Sequence, residues 1–383
     1  MTRAVALTGR LTFRPGQVPG IAGERPQLAE RLLRGRPGEA APHLLPRLFA
    51  LCGEAHGVTA ALAVNAALGR VAAPEPALFR RLAHETACEH IRRIWLDWPL
   101  HLASGPVPST FNSRVPQREL IDCPMLKASH SESAAMLAWL ERAVLGTAPR
   151  RWLAHWHEDP AGCLSTWATK IHTWPAMAMR QCMQVAQAMA SMPAPLLPHA
   201  STDALRELAQ SLAGEADFPC RPSWQGRVFE TGSWTRLGLA DCSAFGNMWL
   251  RLGARIAELV LLSLRDGMQA SGEAHDSPCL QMGALALAPG QALAWSEMAR
   301  GLLMHWVRLV DTPQGPVIGG YRIIAPTEWN FHPDGAVAHM LAHLAPFDAA
   351  DVRRSIGILV AAYDPCVPYT VEFAESLGDT VHA

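Results

Sequence analysis

Nine cysteines lie scattered at positions 52, 88, 123, 163, 182, 220, 242, 279 and 366, and no two of them form a C-x-x-C pair. An odd, dispersed set argues against a disulfide framework and against a zinc ribbon. The fold must therefore rest on its apolar core. With 383 residues and 49% hydrophobic content, the chain has enough material for one elaborate domain or two intimately packed ones.

Charge narrows the function classes. The formal net charge is -1 and the pI is near 7.0, so there is no bulk electrostatic case for nucleic acid or a membrane surface. Residues 1–12 carry Arg3 and Arg10 but no apolar run fit for a signal peptide. No later segment offers the roughly 18 uninterrupted apolar residues of a spanning helix. These features predict a cytoplasmic protein with no membrane insertion.

Helical signals dominate. Residues 5–13 alternate and read as a strand. Segments 29–33, 42–52, 58–72, 76–95, 131–148, 166–192, 202–216, 243–267 and 351–363 read as helices, with Pro76 at a first helical position, Pro175 as a break and Thr202 as an N-cap. Residues 303–310 and 317–324, joined by the turn-forming 311–316, read as a hairpin. Proline-rich joints at 106–108, 193–198 and 219–222 divide the chain, but no Ser/Gly linker marks an independent domain. Thirteen tryptophans stand against three tyrosines. Trp95, Trp98, Trp139, Trp152, Trp156, Trp167 and Trp174 suit packing between helices, with an exposed docking patch as the alternative.

Five segments, in order, carry a pattern. They read Q-L-A-E-R-L-L-R-G-R at 27–36, R-L-F-A-L-C-G-E-A-H at 47–56, W-S-E-M-A-R-G-L-L-M-H-W at 295–306, Y-R-I-I-A-P-T-E-W-N-F-H-P at 321–333 and D-P-C-V-P-Y-T-V-E at 364–372. Together they resemble the nickel-iron hydrogenase large subunit, whose ends read R-I-C-G-V-C-T-x-x-H and D-P-C-x-x-C-x-x-H. The resemblance covers both ends well and residues 100–220 poorly. It implies a mostly α fold with a small β component and a single large-subunit-like unit. Residues 1–100 and 223–383 would form the family core, and 101–222 a divergent helical middle region.

The departures carry the functional argument. Phe49 stands where the first N-terminal cysteine should be, Tyr369 replaces the second C-terminal cysteine and Glu372 replaces the final histidine. By resemblance Cys52 falls on an iron-bridging position and Cys366 on a terminal nickel position. Glu30 falls on the acid that relays protons, Arg300 on the arginine over the metals, Thr327 on the hydroxyl facing a cyanide, and His56 on the residue behind a metal thiolate. Phenyl and phenol groups do not replace thiolates in a nickel tetrathiolate, so no nickel is expected. Hydrogen activation, which uses both metals, is not expected either, and the chain is read as no enzyme. A site that keeps the cyanide donors Arg300 and Thr327 yet halves the thiolates suits a buried anionic fragment that needs such donors.

That combination resembles the accessory proteins of the HupK/HoxV type. It implies a scaffold that transiently holds an Fe(CN)2(CO) fragment through Cys52 and Cys366, with an oxygen ligand from Tyr369 or a single anchoring cysteine as the alternatives. The implied partners are the accessory proteins that build and deliver the iron-cyanide unit, a small chaperone, and the hydrogenase large-subunit precursor. Two alternatives stand beside it: a metal-free chaperone-like docking protein of the same pathway, and an active large-subunit variant. With Glu372 at the terminal motif, no proteolytic processing is expected and the tail is retained. Elsewhere, His84, Glu85, Cys88 and Glu89 sit on related faces of one helix and form a weaker zinc candidate. Cys52 with His56 has the residue types of a nucleophilic dyad.

Overall fold

The computed structural model describes residues 9–70, 73–102, 114–127, 133–237, 245–270, 280–344 and 349–373. Several sequence features lie outside these residues: the expected strand before residue 9, the 106–108 joint, Cys242, Cys279, the start of the 243–267 helix, and the tail from 374.

Two sheets organise the fold. Strands β1 (Arg10–Phe13), β2 (Ile21–Glu24) and β7 (Tyr369–Val371) form a three-stranded sheet in the order β2-β1-β7. β1 runs antiparallel to β2 and parallel to β7, with Leu11 opposite both Gly23 and Tyr369. This pairing fastens the end of the chain to its beginning. The second sheet is an antiparallel meander of β3 (Met282–Ala288), β4 (Gln291–Met298), β5 (Gly301–Val310) and β6 (Val317–Ile324). The hairpin expected at 303–310 and 317–324 is the β5–β6 pair, while β3 and β4 extend a sheet that its sequence had shown only in half.

β4 and β5 are buried almost end to end. One side of the sheet shares the main core with helix Gly53–Ala67; the other meets Leu205, Leu208 and Leu212 of helix Thr202–Gly214. A strand covered on both faces reads as a continuous apolar run, so G-L-L-M-H-W-V gives no period of two.

Helix Met248–Ala270 runs through the main core. From Arg251 to Val260 every residue is buried, and Arg251, Arg255 and Glu258 recur at helical spacing with ion-pair partners. Its Gly253 lets neighbouring helices approach closely: a Cβ there would lie 2.6 Å from Leu164 Cδ2 and 3.0 Å from Trp156. All seven tryptophans between 95 and 174 are buried, so they pack the core rather than form an exposed patch. The 166–192 segment is two helices, Pro160–Lys170 and Trp174–Ala188, in which Pro175 begins the second instead of breaking one. The N-cap of helix Thr202–Gly214 is Ser201, not Thr202. No single helix among the described residues is long and apolar enough to cross a membrane.

Candidate metal centre

Cys52 closes a one-turn helix, Ala50–Cys52, and immediately precedes helix Gly53–Ala67. The first N–H groups of a helix lack partners within it. Here Glu85 supplies them, accepting from Glu54 N at 2.8 Å and Ala55 N at 3.0 Å. One turn along the same helix, Pro76–Arg92, Glu89 accepts from Arg300 Nη2 at 3.1 Å. A single helix thus fixes both the cysteine's turn and the arginine. Arg300 itself projects from the two-residue connection between β4 and β5.

Cys366 follows helix Ala349–Tyr363. The chain leaves that helix through Asp364, whose φ of 52° is left-handed, a conformation Asp tolerates better than most residues. Pro365 then prevents the helix from continuing. The Asp364 carboxylate receives three buried or half-buried guanidiniums: Arg93 Nε at 3.2 Å, Arg300 Nε at 3.3 Å and Arg255 Nη1 at 3.4 Å. Burial alone would raise this carboxyl, but the three cations outweigh it and hold it below the ordinary range. Behind this layer, burial opposes charge on Glu258, yet Arg236 and His90 bring its carboxyl down to about 2.

The two cysteines, far apart in the chain, come together. Cys52 is buried and Cys366 half-buried, and the charges of both Arg300 and Arg25 reach both sulfurs. Burial pushes the Cys52 thiol far up, with Arg300 acting against it and Cys366 with it. Thr327 Oγ1 lies 3.0 Å from Cys366 Sγ, and the Cys366 N–H donates to the same hydroxyl at 3.3 Å. The Arg300 side chain is 1% exposed, and its Nη1 has no hydrogen-bond partner among the described residues. A buried donor left unpaired is costly, and an acceptor arriving beside the cysteines would relieve that cost. The same surroundings hold no group of three or more His, Cys, Asp or Glu side chains fit for a metal ion, among the described residues. Two thiols and an orphaned guanidinium N–H fit a metal fragment that brings its own ligands, and do not fit a bare nickel or zinc ion.

Cys52, Cys366, Arg300 and Thr327 are therefore brought to one place. His56 sits one turn beyond Cys52 and faces elsewhere: its ring stacks on Phe49 at 4.1 Å, its Nδ1 is 3.0 Å from His305 Nε2, and His305 Nδ1 is 2.8 Å from the Tyr321 hydroxyl. Burial lowers both imidazoles, His305 to about 3, so this chain is neutral at physiological pH. Glu30 is not brought to the cysteines; its carboxylate pairs with Arg34 one turn further on, partly exposed to solvent. Tyr369 stacks on Phe13 at 4.9 Å within the small sheet, and Glu372 pairs with Arg14 at 3.1 Å on the surface. His84 lies 3.5 Å from Cys88, while Glu85 and Glu89 serve the helix terminus and Arg300.

Three site residues escaped the sequence reading. Asp364 was visible inside D-P-C, but its role as a three-arginine hub needed the fold. Glu328 follows Thr327 in the 321–333 segment, which assigned a role to the threonine alone. Arg25 gave no signal at all. It reaches the cysteines from β2's end and pairs with the buried Glu328, beside a cleft of about 760 Å³ that Thr327 also lines.

No protein-family model matches the chain. Among solved structures it is similar to the nickel-iron-selenium hydrogenase of Desulfovibrio vulgaris Hildenborough, with TM-score 0.55 and 15% identity over 90% of this chain and 92% of that one. The corresponding enzyme of Desulfomicrobium baculatum gives 0.53 and 14%, over 90% and 93%. The fold is thus that of a hydrogenase large-subunit-like chain. Among curated proteins it is 30% identical to the hydrogenase expression/formation protein HupK of Rhizobium leguminosarum bv. viciae over 363 residues, 93% of this chain and 92% of the relative. HupK of Azotobacter vinelandii is also 30% identical, over 92% of each chain, and HupV of Azotobacter chroococcum 29%, over 89% and 90%. The chain belongs to the HupK family of hydrogenase expression/formation proteins.

Proposed function

We propose that this protein is a non-enzymatic accessory factor in nickel-iron hydrogenase maturation, and that it transiently holds an Fe(CN)2(CO) fragment before the fragment passes to the hydrogenase large-subunit precursor. One observation carries the reading. Two cysteines from opposite ends of the chain interact with each other and with a buried guanidinium that has an unpaired N–H, a threonine hydroxyl touches one of them, and no group of three or more ligating side chains forms there among the described residues. Cys52 and Cys366 would bind the iron, while Arg300 would donate to a cyanide nitrogen, a charge-assisted hydrogen bond. Thr327 orients Cys366 and lies at the edge of the cleft through which a fragment could arrive. The delivering partners are the accessory proteins that build the iron-cyanide unit, and the protein acts in the cytoplasm.

The test is to co-express the protein with the accessory genes of its own host under low oxygen, purify it anaerobically and record the carbonyl and cyanide stretching region with metal analysis. Carbonyl and cyanide bands with iron and without nickel are expected. A bare spectrum from folded, co-expressed protein would overturn the scaffold reading in favour of metal-free docking. Stoichiometric nickel with hydrogen uptake would overturn it in favour of an enzyme.

A further inference from the structure

The cleft side of the cysteine pair carries a feature that the family pattern does not assign. Arg25 is half-buried, its side chain 16% exposed, and interacts with Cys366 and Cys52; its ion-pair partner is Glu328, which is buried and accepts from the Ala325 N–H at 3.0 Å. The Arg25 guanidinium is compensated by the buried Glu328 carboxylate. The cleft of about 760 Å³ is lined by Arg25, Glu328 and Thr327, and Thr327 in turn contacts Cys366.

We propose that Arg25 is a second anion-holding residue of the cysteine site, and that Glu328 is the carboxylate that competes with the bound anion for it. The inference rests on the scaffold reading and deepens it. An iron(II) ion with two cyanides and one carbonyl is neutral, and bonding to it through two cysteines, each losing its proton to solvent, leaves a dianion. Outside the cleft lining, Arg92, Arg93, Arg255 and Arg300 face the carboxylates of Glu89, Asp97 and Asp364, which leaves one positive charge in excess. A second positive charge has to come from the cleft side, and Arg25 supplies it. A guanidinium shared between a fixed carboxylate and a bound anion holds that anion less tightly than a free one would. Such sharing suits cargo that must leave again.

The field of Arg25 is measured on metal-free protein, independently of any cargo. Cys366 is modified with anionic iodoacetate or neutral iodoacetamide and followed by peptide mass spectrometry; the ratio of the two rates cancels the thiol's own reactivity. Glu328→Gln should raise that ratio. Adding Arg25→Met to Glu328→Gln, which strands no buried carboxylate, should lower it by roughly fivefold, the effect of one nearby charge in a partly solvated cleft. Ratios within twofold of each other in these two variants would overturn the assignment. In co-expressed, anaerobically purified protein, Glu328→Gln should retain at least as much carbonyl and cyanide intensity as wild type, and the double variant several-fold less, with Arg25→Lys between. Equal intensity in the double variant would also overturn it. If wild type carries no such bands, the scaffold reading fails, while the rate ratio still decides whether Arg25 presents its charge to anions at Cys366.

Discussion

Asp364→Asn separates the charge of the three-arginine hub from its shape. Asn keeps the size of the side chain and tolerates the left-handed backbone at φ 52°. What it removes is the negative charge facing Arg93, Arg300 and Arg255 at 3.2, 3.3 and 3.4 Å. Arg300 retains Glu89, and Arg93 retains Glu89 and Asp97, but Arg255 is left with only the imidazole of His90 at 3.3 Å among the contacts described. Breaking a buried pair from one side costs about 3–5 kcal/mol because the stranded charge stays desolvated. With an unfolding entropy near 2.1 cal/mol/K per residue, a loss of that size lowers the Tm of a chain this long by about 5 °C. Urea and thermal unfolding at pH 7, followed by tryptophan fluorescence, measure the loss. Asp364→Ala should lose roughly 1–2 kcal/mol more, since alanine pays for the left-handed φ. The pH dependence supplies a second check. A carboxyl held low in the folded state stabilises above its unfolded value and loses that contribution as pH falls through the folded one. The gap between wild type and Asp364→Asn should therefore close in acid. A gap below about 1 kcal/mol at pH 7, or one that persists undiminished into acid, would refute the hub.

Four further outcomes are expected. Cys52→Ala and Cys366→Ala should each abolish the carbonyl and cyanide bands while shifting the urea midpoint little; full bands in either variant would remove that thiol from the site. Arg300→Lys should retain more cargo than Arg300→Ala because it keeps the charge and loses only the fork, so equal losses would count against a charge role. Burial lifts the Glu297 carboxyl to about 7, with Arg236 pulling the other way. Its relative stabilisation is present below the unfolded value and lost as pH climbs through about 7, so Glu297→Gln should flatten the stability profile between pH 5 and 8 by up to roughly 3 kcal/mol in urea titrations. Phe49→Cys combined with Tyr369→Cys restores four cysteines to the sequence pattern but removes rings packed on His56 and Phe13. That double variant should lose roughly 3–5 kcal/mol and bind no stoichiometric nickel by metal analysis.

Much of the site was legible because ligand and donor identities are written in short patterns: Cys52, Cys366, Arg300 and Thr327 were each named by a motif, and the fold brings all four together. Glu30 shows the limit of that reading. Its position matched the pattern, but the helix Leu28–Leu33 buries Ala29 and Leu33, which turns Glu30 toward Arg34 and solvent. A pattern fixes residue type, whereas the face a short helix buries fixes where the residue points. Arg25 was illegible for the opposite reason. Its partners, Glu328 and Cys366, lie more than three hundred residues away, and a contact of that separation leaves no local trace. Strands β3 and β4 were missed because M-G-A-L-A-L-A and Q-A-L-A-W-S-E-M are alanine-rich, and alanine favours helices over strands.

The pattern of loss and retention at the cysteines follows one physical logic. Phe49 and Tyr369 do not leave holes where thiols are missing; they are packed aromatic rings, so the halved ligand set is built into the core and the small sheet. The charged groups around the remaining pair are meanwhile over-supplied with structure. Glu85 fixes the turn after Cys52, Asp364 and Glu89 fix Arg300, and Glu328 fixes Arg25. Donors held in place by other residues need no reorganisation when an anion arrives. On the scaffold reading, Cys52 and Cys366 would be the protein ligands, and a fragment held by two thiolates and by donors shared with carboxylates could pass on to an acceptor. Preorganised donors with an incomplete ligand set are what a holder requires, and an enzyme that must keep both metals through turnover requires the reverse.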